Sequence, residues 1–225
     1  VTLTNWRDWP WNELEAMVIS PGIPHNHPTP HPAAAHANLH KISIISEVEL
    51  ALRAKPKARL IAITGTNGKS TTTALIGHCL QTAKYPVAIG GNLGNAACSL
   101  DDPGEHGTLV LELSSYQLET TPSLKPSISI LLNITPDHLD RHGGMNGYIA
   151  AKSLVLERLS GTSIAIIGAG DEHVQTLAKM TAARGIKTLI ARPNLAPISQ
   201  RNSVTLAGKH NAENAAAAAL ALQAI

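Results

Sequence analysis

The stretch ITGTNGKSTTT, residues 63–73, decides how this chain is read. A general phosphate-binding loop runs glycine, four residues, then Gly-Lys-Ser/Thr. Counted back from Gly68-Lys69-Ser70, the first glycine should stand at position 63, which is Ile63. The context nevertheless argues for a nucleotide site. RLIAIT (59–64) is an apolar strand pattern and a helical pattern starts near Lys69, so the loop joins a strand to a helix. Backbone N–H groups at such a helix start, together with the helix dipole, favour an anion. Gly65 and Gly68 permit close approach and positive φ. Lys69 supplies a cation for β- and γ-phosphates, and Ser70 or Thr71 a hydroxyl for Mg²⁺. The competing reading is a plain turn in which the threonines and Asn67 cap the helix. A correctly placed Gly-Lys-Ser between strand and helix favours the phosphate loop.

Working outward, AMVIS (16–20), TLVLEL (108–113), ISILLN (128–133), SIAIIG (163–168) and KTLIA (187–191) are apolar runs without polar alternation. Parallel strands covered on both faces have this pattern. Helical patterns lie between several of them. The clearest is 69–83, with Leu75, Ile76, Cys79, Leu80 and Ala83 on one stripe. Such alternation predicts an α/β fold, a mainly parallel sheet flanked by helices. The basic, proline-containing ALRAKPKAR (51–59) suggests a boundary. Residues 1–56 hold too few elements for a complete domain, whereas 57–225 hold most of one. AENAAAAALALQA (212–224) is a good helix former. Because the chain starts at Val1 and ends at Ile225 inside this helical pattern, it reads as a fragment.

Composition excludes several classes. The 225 residues carry a formal charge of +2, so no strong field points to nucleic acid or a membrane surface. Two isolated cysteines, Cys79 and Cys98, give neither a disulfide framework nor zinc spacing and suit a reducing, cytoplasmic compartment. No run of about 18 apolar residues exists to span a bilayer. His25, His27, His31, His36 and His40 crowd one segment, but interleaved prolines and the lack of cysteines or paired acids favour a surface loop and helix over a metal site.

Three residues outside the loop carry chemistry. Glu112 closes an apolar strand on the side where ligands of open α/β sheets gather, and its carboxylate is a natural Mg²⁺ ligand. A structural ion pair is an equally good reading of Glu112 alone. His138 follows the next strand, where a lone loop histidine is more often surface than ligand. Lys152 is the most informative. With Ile149 at zero on a helix from about Gly147, Lys152 falls at about 300°, between Leu159 at about 280° and Leu156 at about 340°. The lysine is thus centred on an apolar stripe, and burying its ammonium is costly. A desolvated lysine becomes a neutral, nucleophilic amine, open to carbamylation by CO₂.

These residues, with SPGIP (20–24), SEVEL (46–50), GTNGKST (65–71), GGNLG (90–94), LELSSYQLE (111–119), NITPDHLDRH (133–142), YIAAK (148–152) and GKHNAEN (208–214), resemble the Mur ligase family. These are ATP-dependent amide-bond ligases of bacterial peptidoglycan precursor synthesis. The family's loop is spelled GTNGKS/T, which accounts for Ile63. The match is best to members that add D-glutamate to UDP-N-acetylmuramoyl-L-alanine. The resemblance implies that Gly65, Thr66, Asn67, Gly68, Lys69, Ser70 and Thr71 hold the ATP phosphates. Ser70 and Glu112 would bind one Mg²⁺, and His138 with carbamylated Lys152 a second or the acyl phosphate. Asn92 would position metal and phosphate groups, and Ser114 the UDP-sugar. Asn211 and Asn214 would face adenine or ribose, and Ser20, Pro21 and Gly22 would lie along the UDP diphosphate. The implied reaction passes through an acyl phosphate that the amine of D-glutamate attacks. Residues 1–56 would then be part of the UDP-substrate domain and 57–225 most of the ATPase domain. The amino-acid-binding domain would be missing, leaving the fragment inactive and the protein an expected monomer. Alternatives are a folylpolyglutamate-synthase-like ligase, whose loop has an extra glycine between lysine and serine, or a non-catalytic nucleotide-binding module.

Overall fold

The computed structural model describes residues 4–54, 57–92, 94–197 and 207–225. The boundary expected after residue 56 and Leu93 of the GGNLG motif therefore touch positions outside the described residues. The first segment builds a small parallel pair, β1 (Ala16–Val18) against β2 (Ser43–Ile45), connected through α1 (Pro32–Leu39). Pro32 suits the first helical position, and His31 caps the helix by accepting from the Ala33 amide at 3.2 Å. Trp11, Met17, Ile19, Ala34, Ala37 and Ile42 close a local core.

Helix α2 (Glu47–Ala54) leads to the main sheet, which is wholly parallel. Its strands are β3 (Arg59–Thr64), β4 (Val87–Gly91), β5 (Thr108–Glu112), β6 (Ile128–Leu131), β7 (Ile164–Gly168) and β8 (Lys187–Ala191), in the order β4-β5-β3-β6-β7-β8. Alternate residues of each strand enter opposite cores, as the period of two requires. Leu60 and Ala62 of β3 pack with Leu109, Leu111, Val155 and Leu156. Ile61 and Ile63 pack on the other face with Ile76, Val110, Ile130 and Ala217. Helices α3 (Lys69–Thr82) and α7 (Lys209–Gln223) cover the second face. Helices α4 (Ser115–Glu119), α5 (Met145–Glu157) and α6 (Glu172–Ala183) belong with the first.

The α/β architecture is thus as expected, and β3 and β8 match their apolar runs residue for residue. Strands β2 and β4 are additional. The stripe expected on α3 is corrected: Cys79 and Ala83 are exposed, and the buried face is Thr72, Thr73, Ile76, Gly77 and Leu80. The reason is steric. Gly77 lies so close to Ile89 of β4 that an added Cβ would stand 2.2 Å from Ile89 Cδ1. That approach sets Gly77, with Thr72 and Thr73, beside Ile76 and Leu80 on the sheet side and leaves Cys79 and Ala83 outside.

The first segment is fastened to the main sheet through buried polar groups. Glu49, fully buried, accepts from Arg53 Nε at 2.8 Å and from the Ser123 amide and hydroxyl at 3.0 and 2.8 Å. The hydroxyls of Ser46 and Thr121 meet at 2.7 Å beside it. Hydrogen bonds to a buried charge are worth more than neutral ones, and losing the acceptor orphans the Ser123 amide. Glu49→Ala is expected to lower unfolding stability by about 2–4 kcal/mol. Urea denaturation at pH 7 measures this, and a loss below about 0.5 kcal/mol, the size of an ordinary surface change, would contradict it.

Candidate functional site

Parallel strands put their C-terminal ends on one edge, and β3, β5 and β6 lie side by side. The register sets Ile63 opposite Glu112 and Thr64 opposite Leu131. The loop after β3 therefore meets the loop after β6. The Thr66 amide donates to Asn133 O at 2.9 Å, and the Asn67 amide to Asn133 Oδ1 at 2.8 Å. Asn133 Nδ2 donates back to Asn67 O at 3.0 Å. Thr66 Oγ1 lies 3.1 Å from the Tyr148 hydroxyl. The phosphate loop is thus clamped by its neighbours before any ligand arrives. Gly68 stands at the α3 N-terminus with φ +86°, and an added Cβ would lie 2.3 Å from Asn214 Oδ1. Only glycine fits there.

Glu112 ends β5 beneath this loop, 2% exposed. Ser70 Oγ donates to its Oε2 at 2.8 Å and Asn92 Nδ2 to its Oε1 at 3.0 Å. Among the described residues its two oxygens are held by these neutral donors, and its charge also acts on Lys69. Asn92 is brought in by a sharp exit from β4: Gly91 has φ +101°, and a Cβ would stand 2.3 Å from Glu112 O. Hydroxyl and carboxylate oxygens on adjacent elements suit a hard cation such as Mg²⁺.

Two lysines meet on one carbonyl of the loop. Lys69 Nζ donates to Gly65 O at 3.0 Å and Thr66 O at 2.8 Å, and Lys152 Nζ donates to the same Gly65 O at 2.9 Å. Lys152 is 2% exposed and its ammonium lies 4.8 Å from the Tyr148 ring centroid. Burial first, and the nearby Lys69 second, push Lys152 down to about 7, with Asp137 opposing. Burial also lowers Lys69, partly offset by Glu112 and Asp137. Two lysine amines sharing one carbonyl make a positive spot, to the extent that both hold their protons, and such a spot favours an anion.

Pro21, Gly22, Lys69, Asn92, Ser114, His138 and Lys152 line one cavity of about 250 Å³. Asn67, Gly68, Thr71, Asn211 and Asn214 line another of about 420 Å³, within the usual size of a small-molecule site. The phosphate loop borders both. Ser20 does not join Pro21 and Gly22; it lines a separate apolar cavity with Trp6, Trp9 and Ile23. The carbonyls of Pro21 and Gly22 accept from Arg141, at 3.4 and 3.1 Å. His138 is exposed and 3.5 Å from Asp137. Among the described residues, no three His, Cys, Asp or Glu side chains are placed to hold a metal. The histidine-rich segment packs aromatically instead, His36 on His40 at 4.4 Å and on Trp11 at 4.6 Å.

Sequence reasoning passed over several residues that shape the cavity wall. Tyr116 stacks on His142 at 5.1 Å and carries the Arg141 guanidinium 4.6 Å from its ring centroid. Buried His142 Nε2 meets Ser115 Oγ at 2.9 Å, and its Nδ1 lies 3.6 Å from Glu119. Tyr148, on the apolar stripe of α5, sits one helical turn before Lys152 and puts its ring under that ammonium.

Residues 63–194 match the family model of the Mur ligase middle domain. The chain belongs to the Mur ligase family. It is 44% identical over 233 residues to the UDP-N-acetylmuramoylalanine–D-glutamate ligase of Paramagnetospirillum magneticum, covering 96% of this chain and 51% of that protein. Against the ligase of the same name from Rhodospirillum rubrum it is 52% identical over 166 residues, covering 74% of this chain and 35% of that one. The chain thus spans about half the length, or less, of these curated relatives. The fold is shared with a UDP-N-acetylmuramate:L-alanyl-gamma-D-glutamyl-meso-diaminopimelate ligase from Neisseria meningitides, at TM-score 0.62 and 17% identity, covering 93% of this chain and 74% of that structure.

Proposed function

We propose that the whole protein is an ATP-dependent ligase that joins D-glutamate to UDP-N-acetylmuramoyl-L-alanine in the cytoplasm, acting as a monomer. The observation that carries this is the pair of lysines on Gly65 O together with the Ser70–Glu112–Asn92 cluster, both gathered on one phosphate loop. The two relatives above bear that activity in their names. In this reading residues 1–56 belong to the UDP-substrate domain and 57–225 to the ATPase domain, and the part selecting the amino acid lies outside these residues.

The loop amides and Lys69 would hold the β- and γ-phosphates, and Ser70 and Glu112 would hold Mg²⁺. When bound, the cation neutralises charge crowded between a carboxylate and the triphosphate. Lys69, already held on the loop, meets that charge without reorganising, which is how fixed electrostatics lower a barrier. Asn92 steadies Glu112, while Pro21, Gly22 and Ser114 face the substrate arm. Asn211 and Asn214 face the nucleoside. Lys152, held near neutrality, attacks CO₂ through its lone pair; a C–N bond forms and the displaced proton leaves to solvent. The resulting carbamate, with His138 in the same cavity, would supply a second Mg²⁺ site. Phosphate release by the whole protein should require UDP-N-acetylmuramoyl-L-alanine and D-glutamate together. Equal release with another amino acid in place of D-glutamate would refute the assignment.

A further inference from the structure

Glu213 is a buried carboxylate to which the reading above gives no task. It lies one turn into α7, 8% exposed, and its Oε1 is buried without a hydrogen-bond partner among the described residues. An unpaired buried carboxylate oxygen is costly, so such an atom marks a place where a donor belongs. Glu213 lines the 420 Å³ cavity together with Asn67, Gly68 and Asn214.

Its position within that cavity selects the donor. Asn214, the next residue, lies against Gly68, on the side of the nucleoside that adjoins the phosphate loop. Glu213 instead faces Gly170, just past β7: a Cβ on that glycine would stand 3.4 and 3.5 Å from its two carboxylate oxygens. A carboxylate would be repelled by phosphates, so it suits the opposite end of the ligand. It also accepts hydrogen bonds and donates none. At the far end of ATP the donor is the exocyclic amine of adenine, whereas the ribose hydroxyls lie nearer the phosphates.

We propose that Glu213 accepts a hydrogen bond from the 6-amino group of adenine and selects 6-amino purine nucleotides; this rests on the ATP-binding reading above. A site built to satisfy a donor discriminates strongly against an analogue lacking it, because the acceptor is left buried and unpaired.

The test is equilibrium binding of ATP, purine riboside triphosphate (hydrogen in place of the amine), 2′-deoxyATP and 3′-deoxyATP to the 225-residue chain. The purine analogue should bind about tenfold or more weakly than ATP, and both deoxy analogues about as well as ATP. In Glu213→Ala the preference for ATP over the purine analogue should fall to near unity, with Glu213→Gln between. A purine analogue that binds wild-type chain as well as ATP overturns the proposal, and this needs no variant to fold. So does a deficit confined to a deoxy analogue, or a preference that Glu213→Ala leaves unchanged. If ATP binds and depends on Lys69 but ignores Glu213, this inference alone falls. If no nucleotide binds, the ATP-site reading falls with it.

Discussion

Lys69→Ala should weaken ATP binding to the 225-residue chain by about a hundredfold or more, while changing unfolding stability by less than about 1 kcal/mol. The asymmetry follows from where the ammonium bonds. Its two acceptors, Gly65 O and Thr66 O, belong to the loop itself, and Gly65 O keeps a second donor in Lys152. The folded chain therefore loses little. A bound triphosphate loses charge-assisted hydrogen bonds in a partly buried site, where each is worth more than in water. Isothermal titration with ATP at fixed salt reads the affinity, and urea melts read the stability. Affinity within about threefold of wild type would mean that the phosphates lie elsewhere. The same substitution also removes a positive neighbour that lowers Lys152, so the Lys152 value should rise above about 7.

How much of this was legible before the fold was known depended on whether the cause was local. Strands β3 and β8 were readable because both faces are buried, which leaves an uninterrupted apolar run. Strand β4 was not: Gly90 and Gly91 occupy its end because Asn95 O, Leu100 and Glu112 O crowd them, and that crowding is a tertiary fact. Lys152 was readable from the stripe it interrupts, since a helix's period alone puts it among leucines. What the period could not give is its partner, Gly65 O, 87 residues away in sequence. The same limit hid the Tyr116–Arg141–His142 stack, which joins the loops after two different strands. Nor could sequence show that Ser20 lines a different cavity from Pro21 and Gly22, since a turn closed by the Ile23 amide on Ser20 O separates them. Nothing in an alanine-rich helix pattern marks Glu213 as buried; the packing around it does.

Lys152→Met should separate stability from activity, and do so in a pH-dependent way. In the folded chain Lys152 titrates near 7, whereas an exposed lysine titrates at 10.5. Between those values the unfolded chain holds a proton that the folded chain has released. Stability contributed by this group therefore rises with pH across that window, and its full penalty applies below about 7. Methionine is close in size and carries no charge, and replacing buried charge with apolar volume is often stabilising by about 1–4 kcal/mol. The variant should gain the most over wild type at pH 6, with the gain shrinking toward pH 9. Parallel melting curves across pH 6–9 would show that Lys152 is solvated rather than buried. Activity should move oppositely. Ligase turnover of the whole protein should drop by about a hundredfold or more, because the same change deletes the second cation and any carbamate formed from it. The wild-type rate, if the carbamate is used, should climb with pH through about 7 as the amine loses its proton, and should respond to dissolved CO₂. A rate indifferent to CO₂ removal, in a protein whose intact mass never carries the added group, would leave Lys152 acting as a bare ammonium. Its rate would then fall, not rise, through the same pH range, so the direction of the pH profile distinguishes the two chemistries.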